Sequence, residues 1–108
     1  MITTSEELKD FILKALDDKK AENITLMNLE SRTSLAKYMI FATGRSTKNI
    51  SAIADYIADE IKHHSKVKTV IEGLGGSEWV LLDAGDIILH LFNGEARERY
   101  RLEELWGK

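Results

Sequence analysis

Asp83, Asp86 and His90 stand within one eight-residue stretch, with Trp79 just before it. Carboxylates beside an imidazole can hold a divalent metal or pass a proton. Two acids and one histidine are a thin donor set for a metal, and the chain has no cysteine to add to it. The same groups can instead rim an apolar anchor and meet Arg or Lys of a partner through charge-assisted bonds. Aspartate also serves turns by bonding its own backbone.

A second candidate is Gly44-Arg45-Ser46, where backbone N–H groups at a helix start can hold phosphate. Magnesium-dependent phosphoryl transfer needs two or more carboxylates on adjacent strands. Asn28 in the first strand, and the lack of an Asp-x-Asp pair after the turn, argue against it. A strand break followed by an N-cap accounts for the motif. His63 and His64 are adjacent on a helix, point in different directions, and suit the helix end with Lys62.

The elements that position these groups follow from spacing. Thr4 and Glu7 have capping-box spacing, and Leu8, Phe11, Ile12, Ala15 and Leu16 make one stripe, predicting a helix over Ser5 to Asp18. Strands are expected over Ile24–Leu29 and Tyr38–Thr43, the second apolar on both faces as a central strand is. Ile50, Ile53, Ala54, Ile57 and Ile61 place a helix over Thr47 to His64, capped by Ser46. A strand over Val67–Glu72 and a turn at Gly73-Leu74-Gly75-Gly76 lead into the last hairpin. Lys19 and Lys20 read as solvated charges at a helix end, and Glu95 to Arg99 as a solvated surface of alternating sign.

In that hairpin, Glu78 to Phe92, Ala84 and Gly85 are expected in the loop. Asp83 then faces Asp86, Leu81 faces Ile88, and Trp79 faces His90. Alternation puts Val80, Leu82, Ile87, Leu89 and Leu91 on one face, all apolar. The other face carries Trp79, Leu81, Asp83, Asp86, Ile88, His90 and Phe92. Two helices with single apolar stripes cover one sheet face. The second is then partly open, shielded only by the segment Glu95 to Trp106, in which Leu102, Leu105 and Trp106 suggest a short helix. Tryptophan in a strand is more often core, but the acids and histidine beside Trp79 favour a binding anchor. Tyr100 and Trp106 read as packing residues.

The 108 residues suffice for one domain, and 44% hydrophobic with 31% charged is ordinary for a soluble one. A net charge of −3 disfavours direct phosphate-backbone binding but allows docking on a basic protein. No apolar run reaches a membrane span, and the start at Met1 lacks the features of a signal peptide. The expectation is a cytoplasmic protein.

The segment from Glu78 through Phe92, with its Trp-x-x-x-Asp-x-Gly-Asp-x-x-x-His-x-Phe spacing, resembles the signature of the ribosomal silencing factor family, also called Iojap-like. Asp18-Lys19-Lys20-Ala21, Gly44-Arg45-Ser46 and Arg97 to Trp106 are similar to it as well. Asn28, Lys37 and Ala84 depart from the usual pattern, the first two by removing negative charge.

The resemblance implies an α/β (α+β) domain spanning residues 1–108. It has a mixed sheet of about five strands, two main helices on one face and a short C-terminal helix, reminiscent of nucleotidyltransferases. It implies binding to the large ribosomal subunit at its universal ribosomal protein fourteen. That docking blocks the small subunit and represses translation when nutrients are scarce, with no enzymatic step and no cofactor or metal. Trp79, Leu81, Asp83, Asp86, Ile88 and His90 are the expected partner-binding residues. The protein would be a monomer or a weak homodimer. The alternative is a divergent metal-dependent nucleotidyltransferase using Asp83, Asp86 and His90.

Overall fold

The structure is a computed structural model describing residues 1–29, 35–73, 77–94 and 96–101. Helix α1 (Ser5–Asp18) starts where Thr4 Oγ1 accepts the Glu7 N–H at 3.1 Å and Glu7 Oε1 accepts the Thr4 N–H at 3.1 Å. Hydrogen bonds from the backbone and side chain of Thr3, and then of Thr4, hold the Glu7 carboxyl below its ordinary pKa. The helix ends as Lys20 N–H bonds Asp17 O and Ala21 N–H bonds Leu16 O, both at 2.9 Å. That closure puts Lys20 in the left-handed region, at φ 60°.

Strands β1 (Glu22–Asn28) and β2 (Tyr38–Gly44) follow, then α2 (Thr47–His64). A Cβ on Gly44 would lie 2.4 Å from Ile50 Cγ2, so glycine lets β2 turn directly into α2. Ser46 Oγ accepts the Asn49 N–H at 3.0 Å, and Asn49 Oδ1 accepts the Arg45 N–H at 2.9 Å. Gly44-Arg45-Ser46 is thus a strand break and an N-cap.

β3 (Val70–Glu72) is shorter than expected. Out of α2, Ser65 bridges to Ile2 and its hydroxyl binds the Val67 N–H at 3.1 Å, while Val67 packs toward the helices. β4 (Trp79–Asp83), β5 (Ile87–Asn93) and α3 (Ala96–Tyr100) complete the described elements. Residues 74–76 of the expected glycine turn lie outside them, as do Leu102, Leu105 and Trp106 and the side chain of Tyr100.

The sheet runs β1-β2-β5-β4-β3, with β2 parallel to β5 and the other pairs antiparallel. It is the expected mixed five-stranded sheet. One face carries Ile40, Ala42, Val80, Leu82, Ala84, Ile87, Leu89 and Leu91, buried against Leu8, Ile12, Leu16, Ile50, Ile53, Ile57 and Ile61 of the two long helices. Each of the valine, leucine and isoleucine side chains contributes roughly 1.5–3 kcal/mol by leaving water.

The opposite face carries a second buried cluster: Leu29, Ala36, Met39, Phe41, Ile88, Phe92 and Ala96. Alternation along β2 and β5 supplies both clusters, so these central strands are buried on both sides.

Candidate docking face

On the face away from α1 and α2, register sets the neighbours in rows. Val70, Asp83, Ile88, Met39 and Met27 form one row, and Glu72, Leu81, His90, Phe41 and Thr25 the next. Trp79 stands opposite Phe92. The expected pairs Asp83–Asp86, Leu81–Ile88 and Trp79–His90 are therefore displaced. Asp83 faces Ile88, Leu81 faces His90, and the loop is Gly85-Asp86, not Ala84-Gly85.

Local bonding explains the displacement. Asp83 Oδ1 accepts the Gly85 N–H at 2.9 Å, Ala84 N–H bonds Ile87 O at 2.9 Å, and Gly85 takes φ 79°. Moving the turn by one residue shifts the pairing by two, so the face assignments survive for every strand residue. Asp86 alone leaves the face: its Oδ2 accepts the Ser5 hydroxyl at 2.6 Å on the helix side.

His90 is 4% exposed and Ile88 is 8% exposed, so neither is a surface contact in this structure. The imidazole stacks on Phe41 with centroids 4.9 Å apart, and Nδ1 accepts the Trp79 indole N–H at 3.0 Å. Burial pushes its pKa down to about 4, so it is neutral near pH 7 rather than a charged rim group. Asp83, Asp86 and His90 are not gathered around one point. Among the described residues no group of three or more His, Cys, Asp or Glu could hold a metal ion.

Trp79 and Leu81 are half-buried and Asp83 is exposed. The indole stacks on Phe92 at 5.7 Å between centroids. Two residues that sequence reasoning passed over complete this open half. Val70, 57% exposed, lies beside Asp83, and the exposed Glu72 lies beside Leu81. With Ile71 turned inward, alternation was the signal that could have placed both outward.

The other half is covered. Ala96 of α3 is buried there, and Arg97 reaches across to the Thr25 and Thr43 hydroxyls at 2.9 and 3.1 Å and to the Asn23 carbonyl. Arg99 pairs with Glu78 through bonds of 3.1 and 3.2 Å. The stretch from Ala96 to Arg99 is thus a strap over the sheet, not only a solvated surface. At the far side Lys19 sits 4.0 Å from the Tyr56 ring centroid, so it packs on an aromatic face rather than standing free.

The family described as "Ribosomal silencing factor during starvation" matches residues 2–108. A ribosomal silencing factor of Zymomonas mobilis is 45% identical over 102 residues, covering 94% of this chain and 77% of that one. A mouse protein named for mitochondrial assembly of the ribosomal large subunit is 29% identical over 100 residues, 90% of this chain and 44% of its own length. A crystal structure of a Chromobacterium violaceum protein superposes with a TM-score of 0.91 at 35% identity, covering 97% of this chain and 88% of that one. The matched names describe a regulatory protein, not an enzyme, and none of them bears on the nucleotidyltransferase analogy. With its two-sided sheet and its Trp79 hairpin, the chain belongs to the ribosomal silencing factor family.

Proposed function

We propose that the open half of this sheet face docks the protein on the large ribosomal subunit, at its universal ribosomal protein fourteen, and so keeps the small subunit off. The observation that carries this reading is the partly exposed apolar strip Trp79, Leu81 and Val70, with the exposed Glu72 and Asp83 beside it. An apolar patch with a polar rim is the usual form of an interaction site. The acids complement a basic ribosomal protein, and the half-buried indole is the residue type that dominates binding at hot spots. Ile88 and His90 support the strip from beneath, and Asp86 fixes the turn to α1. The mouse relative's name points to the same subunit.

On this reading the protein acts in the cytoplasm by steric exclusion. It needs no cofactor and no direct contact with nucleic acid. A weak homodimer through the same strip would have to part before docking. The test is co-sedimentation with isolated large subunits, followed by subunit joining in a gradient. Trp79→Ala should keep native circular dichroism, lose co-sedimentation and permit joining. Undiminished co-sedimentation would reject the strip as the docking surface.

A further inference from the structure

We propose that His90 is the positioning residue of the docking face, holding the Trp79 indole in the pose presented to the partner. The inference rests on the docking reading above. A half-exposed indole near the end of a strand has several rotamers open to it, and each must be given up on binding. Among the described residues, three contacts restrict that freedom. The ring stacks on Phe92 at 5.7 Å and 20° between planes, lies 5.7 Å from the His90 ring, and gives its N–H to His90 Nδ1 at 3.0 Å. Stacking is tolerant of rotation about the ring normal, whereas the hydrogen bond fixes the direction in which the indole points.

The imidazole is itself held in place by packing. It is 4% exposed, stacks on Phe41 at 4.9 Å and 11° between planes, and stands on β5 between β2 and β4. With Nδ1 accepting, the ring proton is on Nε2, a buried donor with no hydrogen-bond partner among the described residues. An apolar ring of the same size would carry no such loss. What the imidazole adds to this place is therefore the acceptor at Nδ1. Burial favours the neutral ring and so keeps that lone pair available.

The test compares His90→Phe, His90→Asn and Trp79→Ala with the parent chain. The readouts are affinity for isolated large subunits and exchange of the Trp79 indole N–H by NMR. His90→Phe keeps the aromatic stack and removes the acceptor, while the amide oxygen of asparagine stands near the place of Nδ1. His90→Phe should weaken subunit binding and speed indole exchange by about tenfold each, the scale of one lost hydrogen bond. His90→Asn should recover part of both.

Parent-like affinity in His90→Phe, with binding lost in Trp79→Ala, overturns the inference alone. Undiminished binding by Trp79→Ala removes the docking reading and the inference with it. Should His90→Phe fail to fold, Trp79→Phe deletes the same bond from the outer side. Parent-like binding by that chain overturns the inference. A loss that adding His90→Asn leaves unchanged supports it.

Discussion

Arg97 Nη2 donates to Thr25 Oγ1 at 2.9 Å, tying α3 to the strand at the far edge of the sheet. The same guanidinium bonds Thr43 Oγ1 at 3.1 Å, so one side chain spans β1 and β2. Hydrogen bonds made by a charged group contribute about 1.5–3 kcal/mol each way of counting. Arg97→Ala should lower the urea unfolding free energy by about 2 kcal/mol. Arg97→Lys should restore little of it, because an ammonium cannot reach two hydroxyls in the planar fork geometry. A change below about 0.5 kcal/mol in Arg97→Ala would show that the strap adds nothing to stability.

Stability should fall in mild acid through His90. Its folded pKa is about 4 against an ordinary 6.5, so between these values the unfolded chain binds more protons. The contribution is complete above 6.5 and is lost as pH falls toward 4. Its full size is about 3 kcal/mol, of which about 2 is lost between about pH 7 and pH 5. Urea midpoints across that range measure it. His90→Phe should remove this part of the slope, and an unchanged slope in that variant would assign the effect elsewhere.

Lys20→Gly should stabilise the protein. A non-glycine residue at φ 60° costs about 1–2 kcal/mol, and glycine adds about 0.4–1 kcal/mol of unfolded-state entropy. The expected net gain is about 1 kcal/mol, read as a rise in thermal midpoint. A lower midpoint would mean that the lysine side chain contributes more than its backbone strain takes away.

Gly44→Ala should act in the opposite sense. The new methyl would meet Ile50 Cγ2 at 2.4 Å and Asn49 Oδ1 at 2.7 Å, both at the start of α2. Overpacking of this kind costs about 1–3 kcal/mol. A native unfolding midpoint would show that the β2–α2 corner relaxes freely.

Asp83→Asn separates the turn role of this residue from its charge. The amide oxygen can still accept the Gly85 N–H, now at 2.9 Å, so stability should hold. Affinity for large subunits should drop by roughly threefold to tenfold and become less sensitive to salt. An unchanged salt dependence would remove Asp83 from the acidic rim.

Much of the fold was legible because its helices carry their own punctuation. Thr4 with Glu7, and Ser46 ahead of the isoleucine stripe, set the starts of α1 and α2 at the residues where the structure has them. The hairpin faces were legible as well, since period-two alternation is indifferent to a two-residue change in pairing. The turn was not. Asp83 accepting the Gly85 N–H and Asp83 facing Asp86 both suit the run Asp-Ala-Gly-Asp, so residue types alone left the choice of loop open.

His90 was misread for a related reason. A polar residue on a mixed face reads as exposed unless its partner is known, and here the partner is an indole N–H on the neighbouring strand. Arg97 was read as solvent-facing because alternating charge usually is, and its bonds to Thr25 and Thr43 join residues far apart in the chain.

The parallel pairing of β2 with β5 joins residues 38–44 to residues 87–93, and β5 also carries the floor under Trp79. Ordering of that floor waits on β5, the last of the described strands, since it supplies His90 and Phe92 to the rings of Phe41 and Trp79. The surface proposed for docking is therefore not a property of β4 alone but of the closed sheet, because β5 supplies the rings on which Trp79 rests.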